Sequence, residues 1–179
     1  MRKGFTLIEL VIAIMIFSII IAPTIIFFNQ TIKNFTYGKP DSKTVEVVTD
    51  AINEIESLLR QANSVGIAET NKIGFIIPKS GGERKITFEL INGFIQRTDD
   101  FGTKYTPYYN SPNTPLSEVV NLELSFRYFD ENNNLLPYRV PDQVRVVEIA
   151  IKGSPKEIPQ GMTNSEFELQ TMVKLRNVK

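Results

Sequence analysis

The chain contains neither cysteine nor histidine among its 179 residues. Without cysteine it can form no disulfide, no thiol nucleophile and no thiolate metal site. Without histidine it lacks the side chain most used for acid–base catalysis near neutral pH, which is also the commonest transition-metal ligand. We therefore expect this protein not to be an enzyme and to carry no cofactor.

An excess of charge of either sign is also missing. The sequence has 20 basic and 20 acidic side chains. A balanced composition gives no indication of the basic face that nucleic-acid-binding proteins use. The length suits one membrane anchor followed by one soluble domain, which is large enough to bury a core without cross-links.

What the sequence does have is a long apolar run near its start. Leu10–Phe28 comprises 19 residues, and Arg2, Lys3 and Gly4 precede it. A helix of that length extends about 28 Å, which matches a bilayer core of about 30 Å. A secretory signal would have a shorter apolar core followed by a small-residue cleavage site, and residues 29–33 offer none. The run therefore predicts a membrane-spanning helix, and a plain signal anchor is the alternative.

A single acid, Glu9, lies at the start of this apolar segment. A carboxylate at bilayer depth costs about 2.5–3.5 kcal/mol, so an isolated one is functional by default. The alternative is that Glu9 only complements the positive end of the helix dipole. A plain signal anchor would explain neither Glu9 nor Gly4.

The stretch Lys3-Gly4-Phe5-Thr6-Leu7-Ile8-Glu9 closely resembles the class III leader of type IV pilins and pseudopilins. The resemblance implies that residues 1–4, with the basic residues Arg2 and Lys3, form a cytoplasmic leader. It implies that a prepilin peptidase cleaves the Gly4–Phe5 bond and methylates the new amine of Phe5. Glu9 would then pair with the charged terminal amine of a neighbouring subunit during filament assembly.

The resemblance also implies a location and a set of partners. The mature subunit would cross the inner membrane once, with its globular domain outside the cytoplasm, before it enters the filament. Its partners would be the prepilin peptidase, the inner-membrane assembly platform, and other minor and major pseudopilins or pilins. Contact with nucleic acid is expected only in a competence-type system.

The sequence predicts a division between anchor and body. Residues 5–35 are predicted as the transmembrane and assembly helix, in which Pro23 should produce a kink because it lacks a backbone donor. The cluster of turn-forming residues at 36–42 is predicted to end that helix, so that the globular domain comprises residues 36–179.

The body is predicted to have an α+β fold of the pilin-like kind. Apolar residues at three- and four-residue spacing from Val45 to Ala62 predict an amphipathic helix over 42–64. Alternating apolar residues predict an antiparallel sheet of about five or six strands within 72–177, and the helix should pack on one of its faces. Residues 99–116 are predicted to form a loop whose tyrosines either make a contact surface or pack locally.

Asp130, Asn132 and Asn134 place oxygen side chains at alternate positions, as a calcium-binding loop does. No glycine and no closing glutamate follow at the required positions. The favoured alternative is a polar hairpin tip, because Asp and Asn tolerate the backbone conformations of tight turns. Asp99, Asp100, Glu118 and Glu123 are further carboxylates whose proximity the sequence does not decide.

Beyond the leader, several segments are similar to those of J-type minor pseudopilins of type II secretion. The segments are Ala13–Ser18, Arg60–Ala62, Ile86–Arg97, Leu122–Asp130, Pro141–Val146 and Leu175–Asn177. This resemblance implies a structural subunit at the tip of a type II secretion pseudopilus that drives protein export. The alternatives are a minor pilin of a type IV pilus or of a DNA-uptake apparatus and, less favoured, a membrane-anchored binding domain or enzyme.

Overall fold

The computed structural model describes residues 7–115, 119–157 and 166–175. The chain divides into two compact units, Met1–Lys39 and Pro40–Lys179. Helix α1, Leu7–Leu59, begins in the first unit and ends in the second. Within the described residues, the remaining elements are eight β-strands and one short 3-10 helix at Pro141–Gln143, all in the second unit.

The helical conformation of α1 continues through residues 36–42, so the predicted interruption between two helices is wrong. A proline inside a helix lacks a donor and crowds the carbonyl four residues earlier, yet the helical conformation continues on both sides of Pro40. The C-terminal end also differs, since α1 ends at Leu59 and not at residue 64. The chain turns there because Ala62 N–H bonds to the Leu59 carbonyl and Asn63 N–H bonds to the Ile76 carbonyl of the sheet.

The first sheet is a five-stranded antiparallel meander in sequential order. Its strands are β1 Ser64–Ala68, β2 Lys72–Lys79, β3 Gly82–Ile91, β4 Phe94–Asp99 and β5 Gly102–Thr106. The predicted hairpin at 91–93 is present, and Asn92 and Gly93 there have φ of 52° and 80°, as a tight two-residue turn requires. Strands β1 and β5 were not predicted, and β5 lies within the predicted loop 99–116.

The second sheet has three antiparallel strands in the order β6-β7-β8, at Val120–Phe129, Val146–Pro155 and Phe167–Lys174. The expectation of one sheet with five or six strands is therefore wrong in number and arrangement. The reason lies at β6, where Leu122 N–H bonds to the Gly93 carbonyl and Phe126 N–H bonds to the Thr70 carbonyl. Because these backbone bonds go to turns of the first sheet, and the strand that pairs with β6 is β7, a separate sheet begins at β6.

The C-terminal half of α1 packs its apolar side chains on both sheets. These helix residues are buried: Thr44, Val47, Val48, Ala51, Ile52, Ile55 and Leu59. They join the inner faces of the strands in one hydrophobic core that includes Phe75, Phe88 and Phe126. The predicted stripe is largely confirmed, although Val45 is 41% exposed and Leu58 is only half-buried. The fold is thus α+β, with a helix packed on antiparallel sheets.

Candidate functional site

The amino-terminal segment carries the predicted processing and assembly residues. Arg2, Lys3, Gly4 and Phe5 lie outside the described residues, so their roles stay predictions. Glu9 is the third residue of α1 by backbone position, and its side chain also lies outside the description.

Large apolar side chains project outward from this part of α1. Leu7, Ile8 and Phe17 are 81%, 67% and 64% exposed, and Ile16 and Phe28 are exposed as well. Consecutive positions face different sides of a helix, so apolar side chains are exposed on more than one side of this segment. Counted over the described residues alone, no helix is long and apolar enough to span a membrane.

Pro23 lies inside α1, and the helical conformation continues past it. Its neighbour Thr24 donates a hydrogen bond from Oγ1 to the carbonyl of Ile20 at 2.7 Å. Such a bond from a threonine to the carbonyl four residues earlier often bends a helix. The kink predicted at Pro23 stays a prediction.

Residues 1–25 match the family model of the prokaryotic N-terminal methylation motif. This chain carries a class III prepilin leader. The match covers the predicted cleavage bond, Gly4–Phe5, and the acid Glu9, and it places the amino-terminal segment with type IV pilin-like proteins. No curated protein matches the chain.

The three residues weighed as calcium ligands, Asp130, Asn132 and Asn134, lie in a hydrogen-bonded turn. Asp130 Oδ1 accepts hydrogen bonds from the backbone N–H groups of Asn132 and Asn134, both at 2.8 Å, and its Oδ2 accepts one from Asn134 Nδ2 at 2.9 Å. These bonds, that of the Asn134 amide first, lower the pKa of Asp130. Asn133 has φ of 62°, as the turn requires. Both carboxylate oxygens of Asp130 already have partners within the turn, which favours the hairpin-tip interpretation.

Of the three tyrosines at 105, 108 and 109, two are packed against other residues and one is exposed. Tyr109 donates a hydrogen bond from its hydroxyl to Asp50 Oδ2 of α1 at 2.5 Å, and Lys43 Nζ lies 4.4 Å from its ring centroid. Burial, followed by the bond to Asp50, raises the pKa of Tyr109. Tyr105 packs edge-on against Phe94, whereas Tyr108 is 81% exposed. Two of the three tyrosines therefore serve local packing.

A buried ion network lies where α1 meets β3 and β4. The carboxylate of Asp99, with no exposed side-chain surface, accepts a hydrogen bond from Arg84 Nη2 at 2.5 Å and lies 3.4 Å from Arg97 Nε. Arg97 Nη1 in turn lies 2.5 Å from Glu54 Oε1 of the helix. The Nε atoms of both arginines are buried without a hydrogen-bond partner. The network ties the helix to the first sheet through alternating charges.

This network was missed by sequence reasoning, which singled out Asp99 only as one of four scattered carboxylates. The structure separates the described ones, since Asp99 is buried, Asp100 is exposed and Glu123 lies on β6. Glu118 lies outside the described residues. One feature of the sequence could have indicated the network. Arg97 follows Ile95 by two residues, so both side chains lie on the same face of strand β4. A charged side chain on the buried face of a strand needs a charged or polar partner.

A shallow groove crosses the outer face of the second sheet. It has a volume of about 290 Å³ and is lined by Glu123, Leu124, Ser125, Ala150, Lys152 and Glu168. The charge of Lys152 is balanced by Glu166 at 2.6 Å. Among the residues that the structure describes, no cluster of three or more acidic side chains could hold a metal ion.

Proposed function

We propose that this protein is a minor pseudopilin of a type II secretion system, most like the J type. The observation that carries the proposal is the match of residues 1–25 to the N-terminal methylation motif, because it places this segment with type IV pilin-like proteins. Within the segment the sequence has Gly4, an apolar run and the early acid Glu9. In this proposal prepilin peptidase cuts after Gly4 and methylates Phe5. The helix that follows then anchors the subunit in the inner membrane until the assembly platform extracts it into the filament.

Glu9 has a defined task in this proposal. The terminal amine of a neighbouring subunit keeps its positive charge after methylation, and the carboxylate of Glu9 neutralises it. In a low-dielectric environment an unpaired carboxylate is costly, whereas a paired one fixes the register between adjacent helices. The side chain therefore acts between subunits and does not serve the fold of its own chain.

The body is proposed to bind partner subunits and not to catalyse a reaction. Several of the segments that are similar to J-type pseudopilins lie on defined elements of the body, namely the β3–β4 hairpin and strand β6. The sequence provides no histidine or cysteine. We propose that the body joins other minor subunits in a complex at the filament tip that starts assembly.

The test replaces Glu9 by valine in the full-length chain. Glu9→Val should insert into the membrane normally and be cleaved before Phe5, yet enter the filament with an efficiency lower by about ten-fold, because an uncompensated amine would be buried. Mass spectrometry of membrane-extracted protein detects cleavage after Gly4 and methylation of Phe5. Quantification of the subunit in sheared filaments measures its incorporation into the filament.

The matched control is Glu46→Val, which removes an exposed acid from the same helix within the body. It should leave both readouts unchanged. A mature chain that retains Met1–Gly4 in cells with active prepilin peptidase would contradict the leader assignment. Incorporation of Glu9→Val at the wild-type level would leave Glu9 only its role at the helix dipole.

A further inference from the structure

Phe101 is an exposed aromatic side chain held in a fixed position. It lies in the turn between β4 and β5 and is 67% exposed. Its backbone N–H donates to Asp99 Oδ1 at 2.8 Å, and the other oxygen of that buried carboxylate is bound by Arg84. A turn anchored by a buried ion network loses little conformational entropy when its tip contacts another molecule, which favours binding.

Two cationic side chains lie close to the ring of Phe101. Lys79 Nζ and Arg84 Cζ lie 5.4 Å and 5.2 Å from the ring centroid, within the range of cation–π attraction. Arg84 is already paired with Asp99. In contrast, Lys79 forms no ion pair with any described residue. The patch formed by Lys79, Arg84 and Phe101, called here the Phe101 patch, therefore combines apolar surface with one uncompensated positive charge.

The strand register places this patch on one face of the sheet. Lys79 is two residues from the buried Ile77, and Arg84 is the cross-strand partner of Ile77, so both point to the inner face. Lys85, the next residue on β3, points to the opposite face and is exposed. The two lysines thus offer the same charge on opposite sides of one hairpin.

The Phe101 patch also lies far from the second sheet. Strand β4 begins directly after Gly93, whose carbonyl is bonded to β6, and ends at Asp99. The six residues of β4 extend about 20 Å. The tip that carries Phe101 is therefore at the end of the first sheet that points away from β6, where the second sheet does not cover it.

We propose that the Phe101 patch is a docking site for a carboxylate-bearing, partly apolar surface on the body of a different subunit of the same filament. The proposal rests on the proposed function. Aromatic side chains, phenylalanine included, bury large apolar areas at protein interfaces, and Phe101 would be the central anchor. Lys79 would select an acidic partner, because its charge has no counterpart within the described part of this chain.

The experiment uses photo-crosslinking from the full-length chain in its membrane, together with the leader-bearing subunits encoded beside it. p-Benzoylphenylalanine at position 101 should give a product with one of those subunits, identified by mass spectrometry of the linked peptides. Lys79→Glu in the same chain should lower the yield about five-fold or more, because it replaces attraction by repulsion at a close charge pair. Lys79→Arg should retain most of the yield.

Two control positions make the outcome specific. Lys85→Glu carries the same change of charge on the opposite face of β3 and should leave the yield at position 101 unchanged. p-Benzoylphenylalanine at position 108 replaces Tyr108, which is even more exposed, and should give much less product. Equal loss with Lys79→Glu and Lys85→Glu would overturn the role of the Phe101 patch.

A third position separates this inference from the proposed function. p-Benzoylphenylalanine at position 17 probes helix α1, through which filament subunits associate in the proposed function. Products with leader-bearing subunits from position 17 but not from position 101 would overturn the docking site alone. Absence of such products from both positions would also count against the proposed function. A product from position 101 that contains only a second copy of this chain would overturn the choice of partner.

Discussion

Asp99 is the residue whose environment is least expected from its type. Its side chain is fully buried, which raises the pKa of the carboxyl and is the largest single influence on it. The hydrogen bond from Phe101 N–H and the charges of Arg84 and Arg97 act in the opposite direction and together outweigh burial. The pKa of Asp99 is therefore below its ordinary value of 3.8. The charged form is the one that stabilises the fold.

Asp99→Asn should lower the free energy of unfolding by about 1–3 kcal/mol at about pH 7, because two arginines lose their shared anion. A carboxyl with a lowered pKa contributes stability above its unfolded pKa and loses it as the pH falls through its folded pKa. The difference between wild type and variant should therefore be constant at neutral pH and shrink once the pH falls below 3.8. Urea denaturation followed by tyrosine fluorescence, repeated over this pH range, measures it.

Asp100→Asn is the matched control for Asp99→Asn, since it removes the neighbouring exposed carboxylate. We expect it to change stability by no more than about 0.5 kcal/mol, as surface substitutions do. If both variants have the same stability at every pH, the buried network contributes nothing measurable.

At the scale of elements, the contact between α1 and β7 depends on the absence of a side chain at Gly153. A Cβ built there would lie 2.5 Å from Val48 Cγ2 and 3.1 Å from Thr44 Cγ2. Real Cβ atoms do not approach carbon so closely, because cores are already packed to the density of organic crystals. The helix can lie this close to the strand only because residue 153 is glycine.

Gly153→Ala should therefore lower the free energy of unfolding by about 1–3 kcal/mol through overpacking. The double variant Gly153→Ala, Val48→Ala should be more stable than the sum of the two single effects predicts, since the smaller side chain at 48 makes room. A thermal or urea denaturation cycle over the four proteins measures this coupling. Ser154→Ala, one residue along β7, serves as the control, and strictly additive effects would contradict the close contact.

At the scale of the whole molecule, the hydrophobic core belongs to the second compact unit. The described core residues run from Val47 to Leu175, so all of them follow the boundary at Lys39 and Pro40. The exposed apolar side chains of Leu7 to Phe28 make no contribution to that core. The described core therefore lies entirely within residues 40–179.

A fragment comprising residues 40–179 should fold without the amino-terminal segment. We expect one cooperative transition on heating, because a domain of this size with a continuous core behaves as a two-state unit. Circular dichroism and calorimetry should give the same midpoint. Absence of a cooperative transition in this fragment would show that the core depends on residues 1–39.

The sequence by itself determined the features that depend on local pattern. The residues that identify the leader are contiguous, from Lys3 to Glu9, so they can be recognised without a fold. The match to the methylation motif confirmed the leader. The helix stripe from Val48 to Leu59 and the hairpin turn at Asn92-Gly93 were also predictable, because periodicity and turn chemistry operate over a few residues.

Only the tertiary structure decided the features that depend on partners distant in sequence. The division into two sheets follows from bonds between β6 and the turns at Thr70 and Gly93, which local alternation cannot reveal. Strand β5 forms because β4 offers it a paired edge, in a segment whose local sequence predicts a loop. Likewise, Arg84 reaches Asp99 only because β3 and β4 pair in one register, and pairing register is a property of the assembled sheet.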